Sequence, residues 1–176
     1  MVAVVSLALA GCSSGGSRAD TAPPATRSVV RVDGSMPVEI FTEPGVGARH
    51  VDARRADVWA TLPAVYERLG IPLAEVDAGA GRVGNPAFQT RTVEGQGLGR
   101  FVDCGSSVGG PLVNRYRVTL SVQTEVREAE DGGTIITTTV RAHGEPQSVG
   151  GSRLPCRSRG TLELRVAQVV VEELGG

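Results

Sequence analysis

Alternation is clearest in RVTLSVQTEV, residues 117–126. Val118, Leu120, Val122 and Val126 point one way, with Thr124 completing their row, and Arg117, Thr119, Ser121, Gln123 and Glu125 point the other. A period of two over this length predicts a half-buried strand. Asp131-Gly132-Gly133 then supplies turn residues, and TIITTTVRA returns with Ile136, Thr138 and Val140 alternating, which predicts a hairpin. A different period governs DARRADVWATLPAVYERLG, residues 52–70. Val58, Leu62, Val65, Tyr66 and Leu69 fall on one helical stripe, with Asp52 as the predicted N-cap and Gly70 followed by Pro72 as the stop. Pro63 inside that stripe removes a hydrogen-bond donor and predicts a kink near Trp59 or two short helices. Leu162, Val166, Val169, Val170 and Leu174 form a second stripe. Residues 162–166 also alternate, but the stripe outlasts a strand, so a C-terminal helix is predicted.

Weaker signals fill in the remainder. Ser28–Val32 and Met36–Phe41 read as extended, split by Asp33-Gly34. Leu73–Val76 reads as a short strand before a Gly79-Ala80-Gly81 turn. Arg82–Val93 is extended but interrupted by Asn85-Pro86, which predicts an edge or a bulge, and Leu98–Cys104 reads as a further strand. The fold class is therefore α+β, an antiparallel sheet of about four to six strands with one face covered by two helices, in the order β-α-β4-α.

The first ten residues are apolar but far shorter than the roughly 20 that a membrane-spanning helix needs. They end in Leu9-Ala10-Gly11-Cys12, which resembles the lipobox of bacterial lipoproteins, although no Lys or Arg precedes the apolar run. The resemblance implies a signal peptide over residues 1–11 and a lipidated Cys12. Residues 12–27 continue as a Ser-, Gly-, Ala- and Pro-rich tether, too poor in apolar bulk to offset its ordering entropy, and residues 28–176 form one α+β domain. Acyl chains at Cys12 would hold that domain at a membrane, each buried CH2 contributing ~0.8 kcal/mol. Ser13 after the cysteine resembles the pattern sorted to an outer membrane in cells that have two. The body with VWATLPAVYERLGIPLAEVD, residues 58–77, resembles the helix-grip domains of BamC-type outer-membrane assembly lipoproteins, and V-W-x-x-L is similar to the START-like ligand-binding superfamily. The BamC type carries two such domains and this chain carries one.

Net charge is −1, which gives no electrostatic footprint for nucleic acid. Of three cysteines, lipidation would take Cys12, leaving Cys104 and Cys156 as an even pair in an oxidising compartment. Neither lies in CxxC or near a histidine in sequence, so a structural bridge is expected. It would close a loop of about 53 residues worth ~4 kcal/mol on the chain-entropy model.

Candidate chemistry is sparse. Gly105-Ser106-Ser107-Val108-Gly109 fits the G-x-S-x-G of a nucleophile elbow, which requires a helix next; Gly109-Gly110-Pro111 and another strand follow instead. Residues 79–84 fit G-x-G-x-x-G, but Asn85-Pro86 cannot open a dinucleotide-binding helix, so a turn is read. His50 beside Asp52 and His143 beside Glu145 have no metal-ligand spacing. Arg153, Arg157 and Arg159 around Cys156 read as a solvated loop, and Trp59 as packing at the edge of the core. No metal, cofactor or catalytic set is assigned. The expectation is a non-enzymatic, lipid-anchored envelope module that docks on another envelope protein through Arg117, Thr119, Gln123, Thr139 and Arg141. The alternative is a START-like carrier holding a small apolar ligand in a cavity beneath Val166 and Val170.

Overall fold

The computed structural model describes residues 27–30, 38–41, 45–147 and 152–175. The signal segment, most of the tether with Cys12, and the Asp33-Gly34 turn lie outside the described residues. An N-terminal hairpin pairs β1 (Arg27–Val30) with β2 (Val38–Phe41). Next come β3 (Gly45–Val51), α1 (Arg55–Leu69), β4 (Glu75–Asp77) and β5 (Arg82–Gln89). Five two-residue strands make the irregular middle: β6 (Thr92–Val93), β7 (Gln96–Gly97), β8 (Val102–Asp103), β9 (Ser106–Ser107) and β10 (Gly110–Pro111). Then come β11 (Tyr116–Glu128), β12 (Thr134–Pro146), β13 (Leu154–Ser158) and α2 (Thr161–Leu174).

The main sheet has seven strands in the order β4-β5-β11-β12-β13-β8, with β3 also pairing β12, and every pairing is antiparallel. The fold is α+β, with one sheet face under two helices. At its centre β11 and β12 pair from Tyr116↔Pro146 to Glu128↔Thr134 without a slip. Val118, Leu120, Val122, Thr124 and Val126 are buried along β11, and Ile136, Thr138 and Val140 along β12, as the alternation predicts. Against that row α1 buries Val58, Leu62, Val65, Tyr66 and Leu69, and α2 buries Leu162, Val166, Val169 and Val170. Trp59 is half-buried at the core's margin.

Several expectations need correction. The N-cap of α1 is Arg54 rather than Asp52, without a side-chain cap, and the guanidinium of Arg54 instead bonds both carboxylate oxygens of Asp57 at 2.8 and 2.9 Å. Pro63 does not divide the helix: it lies on the exposed side, where the carbonyl deprived of its donor can be hydrated. Gly70 stops α1 as expected, in the left-handed conformation (φ 69°), with Ile71 N–H donating to the Tyr66 carbonyl at 2.9 Å. Pro86 is accommodated by a bulge: Pro86 and Ala87 face Ser121 alone, beyond the point where β4 flanks β5. Leu98–Cys104 is not one strand but a 3-10 turn (Leu98–Arg100) followed by β8. The sheet also contains β3 and β13, which the alternation did not predict.

The segment between β5 and β11 extends the core past the helix ends. Leu98, Phe101, Val102, Leu112 and Val113 are buried there. Glu94 ties this segment to α2, its carboxylate meeting Arg165 at 2.6 and 2.9 Å while its N–H donates to the Leu69 carbonyl. Arg165 also meets Glu172 at 2.8 Å, and Glu172 contacts Arg68 of α1, so one ion-pair network spans both helices and the segment.

Two hydrogen-bonded polar clusters sit inside the apolar layer. Tyr66 carries its hydroxyl beneath α1 to Thr124 Oγ1 at 3.0 Å, and Thr124 reaches Thr138 Oγ1 at 3.2 Å. Burial pushes the phenol up to about 12 despite the Thr124 hydrogen bond. Glu163 lies under the first turn of α2, 1% exposed; Ser158 Oγ donates to its Oε1 at 2.6 Å, and Oε2 has no partner among the described residues. Burial pushes this carboxyl above the usual carboxylate range, with the Ser158 hydrogen bond opposing.

Tyr66→Phe should cost about 1 kcal/mol, lowering Tm by roughly 2–4 °C, and an unchanged melt would show that the hydroxyl contributes nothing. For Glu163 the folded state holds the proton more tightly than the unfolded chain. Its contribution to stability is therefore complete below the unfolded pKa of about 4.3 and is lost as pH rises through the raised folded value. Glu163→Gln, which cannot ionise, should match the wild type near pH 4 and exceed it by about 1 kcal/mol near pH 8 in urea titrations. Equal midpoints at both pH values would contradict an ionisation cost at this position.

Candidate functional site: the helix-free sheet face

The register that sends one row of β11 and β12 under the helices sends the other row to the opposite face. Arg117, Thr119, Ser121, Gln123 and Glu125 of β11 stand opposite Glu145, His143, Arg141, Thr139 and Thr137 of β12. The five residues expected to form a partner surface thus share one face, with Gln123 directly across from Thr139. Arg117 and Arg141 are exposed, and Thr119, Gln123 and Thr139 are half-exposed. From Arg117 to Arg127 the row runs roughly 33 Å at the rise of a strand. At its centre Arg141 stands among hydroxyl and amide side chains, and the other charges gather toward the ends. Glu145 is held by Arg153 at 2.7 Å at one end, and Glu125 faces Arg127 at 3.5 Å toward the other.

His143 lies on this face between Thr119 and Pro155 in register. Partial burial and the Arg153 charge push its imidazole below the ordinary histidine value, with Glu145 opposing, so the ring is neutral near pH 7. His50 is eight residues away along β12, opposite Ile135, and bonds Asp131 at 3.0 Å. The two histidines are therefore roughly 26 Å apart and form no common site.

A cleft of about 500 Å3 opens where the face meets the irregular segment. Gln89, Arg91, Asn114, Tyr116 and Arg117 line it, over a floor that includes Val113 and Val118. Neither Arg91 nor Arg117 has a carboxylate partner among the described residues, whereas Arg153 and Arg159 are neutralised by Glu145 and Asp103. Arg91 and Asn114 were not expected at the site. They lie in segments without periodicity, so only the tertiary path of the chain brings them to Arg117. Arg157 of the anticipated basic loop stands opposite Asp103 in register.

Ser107 occupies a two-strand hairpin, with Arg115 donating to its Oγ at 3.2 Å, and β10 and a 3-10 turn (Leu112–Asn114) follow it instead of an α-helix, so the strand-to-helix turn of a nucleophile elbow is missing at this serine. Residues 78–81 make the turn between β4 and β5, its backbone held by Asp77 Oδ1 accepting from Ala80 N–H at 2.9 Å. Val166 and Val170 are fully buried, and neither lines the cleft at Arg117 or the grooves that border α2. Also among the described residues, no cluster of three or more His, Cys, Asp or Glu side chains is placed to hold a metal, and no helix is long and apolar enough to cross a membrane.

Cys104 and Cys156 are joined as a disulfide across a separation of 52 residues, with Cα atoms 4.1 Å apart. Both are buried on the helix side beside β8 and β13. The bridge therefore clamps the irregular segment to the strand that borders β12.

Comparison with models of known protein families gives no match, and a search of curated proteins gives none either.

Non-reducing peptide mapping should recover Cys104 and Cys156 in one linked pair; two alkylatable thiols at these positions would contradict the bridge. Replacing both by serine should cost up to ~4 kcal/mol of stability, the value expected for opening a loop of this size.

Proposed function

We propose that this chain is an envelope lipoprotein, anchored through acyl chains on Cys12, whose α+β domain works as a non-enzymatic docking module. Its partner is another envelope protein, met through the helix-free face of β11 and β12. In a host with two membranes the anchor would lie in the outer one, facing the periplasm. The single observation that carries the reading is the asymmetry of the central hairpin. Its helix side buries Val166 and Val170 completely, while its other side presents a long row of Thr, Ser, Gln and Arg that neither helix covers.

Such a row suits a protein partner. Hydroxyl and amide side chains can exchange water for hydrogen bonds across an interface, and Arg91 and Arg117 at the cleft, without carboxylate partners among the described residues, are placed to meet carboxylates. The tether between Cys12 and β1 gives the domain reach from the bilayer. The packed layer beneath α2 favours docking over the carriage of an apolar ligand.

Two measurements test this. Cys12→Ser should move the chain from the membrane fraction to the soluble fraction, and retention at the membrane would refute the anchor. A photo-crosslinking residue at Gln123 should trap a discrete protein that one at Ala60, on the outer side of α1, does not. Adding Arg117→Glu and Arg141→Glu should reduce the yield about tenfold or more while leaving the thermal melt intact, and equal trapping from both positions would refute the face as a docking surface.

A further inference from the structure

The β3 edge of the sheet is built differently from the docking face. Among the described residues β3 pairs only with β12, so a seven-residue strand leaves alternate N–H and C=O groups of its outer edge without a strand partner. Such an edge is a template for another strand. Helix α2 packs close beside it on the helix face of the sheet: a Cβ on Gly47 would fall 2.7 Å from Glu163 Cβ, and four residues along the strand Val51 lines a groove with Val171. Gly47 to Val51 rises about 13 Å and Glu163 to Val171 about 12 Å, so helix and strand run side by side. The outer flank of α2 keeps apolar side chains in solvent, with Leu164 39% and Val171 53% exposed. Together with Arg49 and Ala167 they line a groove of about 690 Å3 along the edge.

We propose that this edge is a self-association interface, in which two copies of the chain pair β3 with β3 antiparallel about a dyad at Ala48. That register uses the whole strand, from Gly45 to Val51. It sets Arg49 opposite Gly47 of the second copy, where there is no side chain to crowd it, and His50 opposite Val46. A shift of two residues would set Arg49 against its own copy, which like-charge repulsion disfavours.

The helices fit the same dyad. Because α2 packs on both β3 and β12, its axis lies above the gap between them. With strands about 4.8 Å apart, the dyad-related α2 axes then fall roughly 10 Å from each other, the separation at which helices pack. The helix position above Ala48 lies close to Arg165, so the two Leu164 side chains meet beside the dyad and leave water. A strand from an unrelated protein would satisfy the backbone edge alone. A second copy satisfies the edge and covers the apolar flank of α2 with an identical flank.

The test uses the purified full chain carrying Cys12→Ser, so that no thiol outside the Cys104–Cys156 bridge remains. Sedimentation velocity across the micromolar range should show a reversible dimer, and Leu164→Glu should raise its dissociation constant about tenfold or more. Adding Ala48→Cys in the same background should yield a covalent dimer without reductant, because the dyad places position 48 against itself. A monomer at all concentrations overturns the proposal. So does a dimer that Leu164→Glu leaves unchanged and Ala48→Cys does not cross-link, since that dimer uses another surface.

Discussion

The thirteen-residue antiparallel pairing of β11 with β12 decides which side chains become core and which become surface. Side chains alternate with a strict period of two, so slipping this pair by one residue would turn Val118, Leu120, Val122 and Val126 to solvent and push Arg117, Gln123 and Glu125 under the helices. Burying even one of those charges unpaired costs several kcal/mol, which is comparable to the whole stability of a domain this size. The turn at Asp131-Gly132-Gly133 holds the register, with Asp131 Oδ1 accepting from Gly133 N–H at 3.0 Å. Both helices and every flanking strand then settle against a face already chosen.

Polar groups inside that face refine it. Thr124 and Thr138 stand opposite each other in the apolar row, and the Tyr66 hydroxyl completes their hydrogen bonding. A helix that rotated or slid would carry the buried Tyr66 hydroxyl away from Thr124, so this bond fixes the position of α1 more sharply than valines and leucines alone. Glu163 does the comparable task for α2 at some cost. Its bond to Ser158 orients the first turn, while the second carboxylate oxygen, without a partner among the described residues, makes the charged form unfavourable.

What was legible in the sequence follows from which elements bury a periodic face. The stripe from Val58 to Leu69 and the alternation from Val118 to Val140 each present many apolar side chains to one core, and both buried faces stand where the pattern predicts them, although the start of α1 and its continuity through Pro63 do not follow from the stripe. The helix after Ser158 is legible as well, because Leu162, Val166, Val169 and Val170 sustain one stripe for longer than a strand lasts. β3 was illegible for the opposite reason. GVGARHV has two glycines and two basic residues, and its glycine at position 47 serves the close approach of Glu163, a contact with no periodic trace. The cleft was illegible too, since Arg91, Asn114 and Arg117 meet only after the bulged β5 and the disulfide-clamped segment are in place. Local sequence does carry the co-planarity of Arg117, Thr119, Gln123, Thr139 and Arg141, because parity along two strands joined by a tight turn is enough to set it.

The late partner of β3 bears on the order of events as the polypeptide leaves the ribosome. Val51 must await Thr134, and Gly45 must await Val140, so a long stretch of chain must follow this segment before its strand partner exists. A strand rich in valine and isoleucine would be a hazard over that interval, prone to zip onto any nascent neighbour. Glycines with low extended propensity, and the charge on Arg49, keep it a reluctant strand until the β11–β12 hairpin arrives as its template. The composition that hid this element from a periodicity reading is the same composition that lets it wait.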